Sequence, residues 1–361
     1  MTEQAWTTTI TRIDPIPNKD RIVLATVEGY QSIVAKDAYQ VGDLVCYISE
    51  QTLVPLALQQ ELGLEGRLAG SHKDRVKAIK MGGVLSQGIV CRPLQWKFWQ
   101  SQVDSGQNVA PLDDVLGVSR YQPSIPVHLS GKVMRPKGDA PICAMYDVEN
   151  IKKQVHFETD TETWWDPFDG KLVCVTEKLH GTNIGIHMNA NDLDTIYVFS
   201  KGLGQNGHVL IEDENNTYWR AFRKYPGIEQ YMRNVLKHEQ SVTVYGEVVG
   251  RGIQDMNYGI QDVELFVFDV RIWNQRDGAM HISAHELYAN DFQTVPVLHV
   301  GLYSRDMCEQ LAKEPSILDG GLREGVVVVA PGHDYKMNGQ RNIAKFINPE
   351  YLLRKSGTEF Q

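Results

Sequence analysis

The chain has 361 residues, 42% of them apolar and 22% charged, with a net charge of −9. That length supports two domains with separate cores. The acidic balance excludes a general nucleic-acid coat, which would be basic, but leaves room for a local basic track. Five scattered cysteines (Cys46, Cys91, Cys143, Cys174, Cys308) form no Cys-x-x-Cys pair. Neither a zinc module nor a disulfide framework is expected, in keeping with a reducing cytoplasm. The polar opening MTEQAWTTTITRIDPIPNKD and the absence of a run of about 18 apolar residues predict neither a signal peptide nor a membrane span.

Residues 1–120 carry short strand signals at ATVEGYQSIVA, LVCYISEQTLV and GGVLSQGIVC, separated by Gly-containing turns. Such spacing predicts a small β-barrel of the OB type. Arg67, Lys73, Arg75, Lys77 and Lys80, set against Asp74 alone, are candidates for a phosphate-contacting edge. Trp96-Lys97-Phe98-Trp99 is assigned to packing rather than to base stacking. From about 100 to 140, Pro and Gly are frequent and apolar periodicity is weak, which predicts a linker, set at 121–146. Asp147 to Thr159 has helical spacing and opens a second domain, 147–361.

Leu172 to Val175 is an apolar run that leads into EKLHGTN, Glu177 to Asn183, after which alternation resumes at Ile184 and Ile186. A lysine at a strand mouth before a Gly-Thr-Asn turn suits a nucleophile aimed into a pocket. A free amine titrates near about 10.4, so its surroundings must activate it. Lys-x-x-Gly by itself is common here, starting at Lys80, Lys178, Lys201, Lys224 and Lys336. The strand in front and the Thr-Asn tail single out Lys178.

Further along, Tyr197 to Ser200 is a strand that ends at Lys201-Gly202, and Tyr218 to Lys237 is helical with a break at Pro226-Gly227. Ser241 to Gly250 is a strand carrying Glu247, a carboxylate that is expensive in an apolar run unless paired or metal-bound. Val263 to Ile272 places Phe266 and Phe268 on one face. His285 to Asp291 and Asp306 to Ala312 read as short helices. Glu324-Gly325 opens a valine strand, where Glu324 can reach a cation, and Lys345 lies in NIAKFINPEYLL. The tail residues Arg354 and Lys355 are expected in solvent.

Taken in order, these segments resemble the motifs of ATP-dependent RNA ligases of the nick-sealing and RNA-editing type with an N-terminal OB domain. These ligases belong to the covalent nucleotidyltransferase superfamily. The resemblance spans most of the chain and is most specific in the second half. It implies an α+β fold, an OB-like barrel followed by an ATP-grasp-like antiparallel sheet domain. It implies that Lys178 forms a lysyl-adenylate and that His180 orients the 5′-phosphate or holds the turn. Glu177, Asn183, Lys201, Glu247, Phe268 and Lys345 then contact the nucleotide, with Phe268 on the adenine and Lys345 on the α-phosphate. Glu247 and Glu324 hold Mg2+ or Mn2+. Lys201 stands where the family usually has arginine, and Ile343 where a second lysine is common, with Arg341 as its substitute.

The implied partners are ATP and RNA or RNA/DNA ends in a nicked duplex, with no membrane and no obligate protein partner. DNA ligases and capping enzymes share this core but place an OB domain after the last motif, and 16 residues follow Lys345 here. The remaining alternative is a non-catalytic OB-type nucleic-acid binder.

Overall fold

In the computed structural model, residues 3–121, 130–136, 148–158, 163–287, 290, 292–330 and 341–354 are described. They fall into two units, Met1–Gln122 and Pro123–Gln361. In the first, β1 (Ala5–Ile16), β2 (Lys19–Val27), β3 (Tyr30–Ala35), β4 (Leu44–Ile48) and β5 (Ile89–Cys91) form a sheet in the order β3-β2-β1-β4-β5. Its two edges approach each other. Gln87 N donates to Gln31 O at 2.6 Å and Ile33 N to Ser86 Oγ at 2.9 Å, which curls the sheet into a barrel. Ile10, Ala25, Val27, Val45 and Tyr47 fill it.

Helix α1 (Leu94–Asp104) occupies the start of the stretch read as loose. Local periodicity is weak there because a single side chain, Trp96, anchors the helix. That indole is buried and donates from Nε1 to Thr7 Oγ1 at 2.9 Å, whereas Phe98 is exposed. Of the segment expected as linker, residues 130–136 contain β6 (Val133–Met134), and most of the rest lies outside the described residues. The helix expected over Asp147 to Thr159 is instead a single turn at Ile151–Lys153 followed by a short strand at His156–Glu158. Its helical spacing reflects Ile151 and Val155, which enter one core from a turn capped by Asn150.

The second unit has two sheets. The smaller contains β7 (Leu172–Lys178), and the larger takes β8 (Thr182–Asn189), β9 (Asp192–Ser200) and β10 (Val209–Leu210). Helices α2 (Thr217–Arg223) and α3 (Pro226–Val235) follow, broken at Pro226 as expected. The large sheet continues with β11 (Ser241–Gly250), β12 (Val263–Asn274) and β13 (Gly278–Ser283). A capped turn at Ala284–Glu286 stands where the helix from His285 was expected, and part of that stretch is outside the described residues. Then come β14 (Val297–Leu302), α4 (Arg305–Lys313), β15 (Gly325–Val329), β16 (Ile343–Ile347) and α5 (Pro349–Leu352).

The orders are β6-β10-β9-β8-β11-β12-β13 and β14-β7-β15-β16. One face of the large sheet, with Ile184, Ile186, Val244 and Val267, packs on Trp219, Phe222, Ile228 and Met232 of α2 and α3. One face of the small sheet, with Val173, Val175, Val326, Val328 and Phe346, packs on Cys308 and Ala312 of α4. The opposite faces carry smaller apolar clusters, Cys174, Val329 and Ile343 on the small sheet and Tyr197, Phe199 and Val209 on the large one, beside the polar groups. Leu179-His180-Gly181 is the crossover at which the chain leaves one sheet and enters the other. Among the described residues no helix is long and apolar enough to cross a membrane.

Candidate active site

Strand alternation sends Lys178 and Thr176 to the face of β7 opposite the α4 core. Thr176 pairs with Val327, and Val327 with Lys345, so Lys345 shares the Lys178 face. Lys178 itself pairs with Gly325, directly beside Glu324. The amine Nζ lies 2.6 Å from Glu324 Oε1, with side chains 26% and 8% exposed. Gly325 is required by the close packing of β15 on β16, because a Cβ there would stand 2.1 Å from Phe346 O. Gly181 is equally constrained: a Cβ would stand 2.3 Å from Val248 O of β11.

Across the crossover, Gly181 N donates to Glu247 Oε1 at 3.2 Å. Asn183, Glu247 and Phe266 are partners in one row across β8, β11 and β12. Burial pushes the Glu247 carboxyl up to about 7; Lys178 pulls it down, and the charge of Glu324 pushes it up. Lys201, at the first position of a short helix capped by Ser200, also acts on Glu247 by its charge. A bulge isolates Phe268 between the pairs Tyr245–Asp269 and Gly246–Val267. Phe268 is half-buried and Phe266 buried, and both pack with Leu179 and Tyr258.

His180 is held on both ring nitrogens. A carboxylate can only accept, so Nε2–H donates to Asp255 Oδ1 at 2.7 Å, and the Tyr351 hydroxyl donates to Nδ1 at 2.8 Å. Glu324 Oε2 is 3.9 Å from the same Nδ1.

Glu177 is not brought into this group. Alternation turns it away from Lys178. Its carboxylate accepts from Ile317 N at 2.9 Å and lies 3.5 Å from Arg323 Nε, with both side chains buried. Arg341 is also turned inward. Its guanidinium pairs with Asp269 at 2.8 Å and donates to Ser283 Oγ at 2.7 Å, so it is committed to linking β12, β13 and the start of β16.

Arg354, expected in solvent, has a side chain only 14% exposed. It lies 3.6 Å above the Tyr351 ring and donates from Nε to Asp255 Oδ2 at 2.9 Å. An aromatic ring three positions earlier, one helical turn away, and a distant carboxylate take it out of water. Lys355 lies outside the described residues. Asp255, Tyr258, Tyr351 and Arg323 were not singled out by the sequence. The one local signal is the i, i+3 spacing of Tyr351 and Arg354.

Among the described residues no cluster of three or more His, Cys, Asp or Glu could hold a metal alone. The mutual repulsion of Glu247 and Glu324 does fit a divalent cation whose coordination is completed by substrate phosphate oxygens.

Comparison with known proteins agrees with this layout. The RNA ligase family matches residues 171–347, which span β7 to β16, and an OB-fold domain family matches residues 5–94. No curated protein sequence matches the chain. Among solved structures, a Naegleria gruberi RNA ligase lysine-to-alanine mutant with ATP and Mn is similar at 20% identity and TM-score 0.74, covering 97% of this chain and 98% of that one. The Naegleria gruberi RNA ligase with PPi is similar at 20% identity and TM-score 0.72, covering 98% of each chain. At this identity the likeness establishes the fold, from barrel to last strand. The family matches go further: the chain belongs to the RNA ligase family, with an OB-fold domain ahead of its ligase domain.

Proposed function

We propose that the chain seals RNA ends with ATP by way of a covalent adenylate on Lys178. The carrying observation is the placement of its amine 2.6 Å from Glu324, on the sheet face shared with Lys345 and beside Glu247. Five of the similar Naegleria gruberi structures hold ATP or AMP with Mn, which supports the same nucleotide and metal here.

The Lys178 amine loses a proton and attacks the α-phosphorus of ATP. A P–N bond forms as the P–O bond to pyrophosphate breaks. A phosphorus ringed by anionic oxygens repels an approaching lone pair, so cationic groups must screen it. Lys345 and Lys201 supply fixed positive charge. Glu247 and Glu324 would hold Mg2+ or Mn2+, which neutralises phosphate charge when bound. Phe268, released from the ladder by its bulge, stacks on adenine in this reading, and Asn183 contacts the ribose or the nucleic-acid end.

The 5′-phosphate oxygen of an RNA end then displaces Lys178 from the adenylyl phosphorus. A 3′-hydroxyl finally attacks the 5′-phosphate and releases AMP. A nicked duplex is the substrate we favour, because the OB domain gives a second nucleic-acid surface ahead of the catalytic domain. The described cysteines are all free and buried, which supports a reducing, cytoplasmic setting.

Incubation with α-labelled ATP and magnesium tests the reading. Label survives denaturation, is acid-labile, and is absent from Lys178→Ala. Label that persists in that variant overturns the assignment.

A further inference from the structure

The three residues that follow Lys178 are gripped by side chains from two remote segments. From the loop between β11 and β12, the Tyr258 hydroxyl oxygen accepts from His180 N at 2.6 Å, and Gln254 Nε2 donates to Gly181 O at 2.9 Å. The same loop supplies Asp255 to the His180 ring at 2.7 Å. From α5 and the residues after it, Tyr351 takes the other ring nitrogen at 2.8 Å, and Arg354 holds Asp255 at 2.9 Å. Arg354 also donates from its guanidinium to Tyr351 O at 2.9 Å, which closes the ring of contacts. His180 is 4% and Tyr351 1% exposed, so water does not compete for the bond between them, whereas the Asp255–Arg354 pair lies nearer the surface.

With both ring nitrogens engaged, His180 has no lone pair or proton to offer a substrate. Its contacts instead make it the peg by which α5 and the loop fasten the crossover. We propose that Asp255, Tyr351 and Arg354 are positioning residues that act through His180 to hold Lys178 in line with the α-phosphorus. The proposal rests on Lys178 being the nucleophile. The amine sits two residues from the peg, at the end of a strand, and a flexible four-carbon stem needs a rigid base to keep attack geometry. None of the three residues lies on the sheet face that carries Lys178, Lys345 and Thr176, so their loss leaves the phosphate-binding charges in place.

The test measures the rate of covalent labelling against ATP concentration in the full-length chain. Tyr351→Phe and Arg354→Ala are expected to cut the maximal rate at least tenfold, with half-saturating ATP within twofold of wild type. Arg354→Lys, which keeps a cation beside Asp255, recovers most of that rate, whereas a purely structural role would not distinguish Lys from Ala by rate at equal melting temperature. Maximal rates within twofold of wild type for both Tyr351→Phe and Arg354→Ala overturn the proposal. So does a rise in half-saturating ATP with an unchanged maximal rate. Should Tyr351→Phe fail to fold, the Arg354→Ala and Arg354→Lys pair, at the more exposed edge of the network, decides alone. Label on Lys178→Ala is a separate outcome, and it removes the nucleophile assignment rather than the network.

Discussion

Lys178 and Glu324 meet at 2.6 Å although 145 residues separate them in sequence, because β7 and β15 pair antiparallel with Lys178 opposite Gly325. The contact puts an anion beside the amine proposed as nucleophile and leaves the second carboxylate oxygen without a hydrogen-bond partner among the described residues. Glu324→Gln keeps the shape and removes the charge. The expected result is a fall of about 100-fold or more in the labelling rate, roughly 3 kcal/mol of transition-state stabilisation. Single-turnover labelling at saturating ATP reads it directly, and a rate within threefold of wild type removes Glu324 from the reaction.

Glu247 makes stability depend on pH with a defined sign. Its carboxyl titrates at about 7 in the folded chain against 4.5 as the reference value. Between those values the native state keeps a proton that the unfolded chain has released, so stability falls as pH rises. The contribution is full at low pH and is lost as pH passes through about 7. Glu247→Gln cannot ionise, so its stability relative to wild type should climb across the window, by on the order of 3 kcal/mol. Urea denaturation at several pH values without divalent cations measures the climb. Added Mg2+ should shrink it by binding the ionised carboxylate.

The buried pair of Glu177 and Arg323 makes a different prediction. Both side chains are sealed from solvent. Arg323→Met leaves a buried carboxylate without its cation and should cost about 3–5 kcal/mol of stability. Combining it with Glu177→Gln should restore part of that loss, since the uncompensated charge disappears. Denaturant melts of the two single variants and the double variant complete the cycle, and a loss below about 1 kcal/mol in Arg323→Met contradicts the pairing.

Phe266 and Phe268 should separate by assay. Phe266 is 8% exposed inside its cluster, so Phe266→Ala should lose about 3–5 kcal/mol of stability. Phe268 is only half-buried. Phe268→Ala should cost less stability but raise half-saturating ATP about tenfold, in line with roughly 1–3 kcal/mol per stacked base. Equal stability losses with unchanged ATP dependence would mean that both rings are core.

The strands were legible because alternation is written in consecutive residues. Ser241 to Gly250 emerges with the expected limits, the strand read over Leu172 to Val175 runs on to Lys178, and Glu247 stands out as a charge in an apolar run. Helical spacing was a poorer guide over Asp147 to Thr159. There a single turn that sends Ile151 and Val155 into one core reproduces the spacing that a longer helix would give. The bulge that sets Phe268 apart from its neighbours needed the partner strand, because a bulge is a mismatch between two strands and leaves no mark on one.

By itself the sequence determined which groups carry charge and which strand delivers the amine, since both follow from residue type and a period of two. Only the tertiary structure decided who meets whom. Glu177, next to Lys178 in the chain, is carried to the opposite face and paired with Arg323, whereas Glu324 is brought to the amine. Asp255 and Arg354, unremarkable in a loop and a tail, close on His180. A buried charge must find a counter-charge wherever the fold offers one, and that partner's distance along the chain is set by strand order and crossovers, not by neighbouring residues.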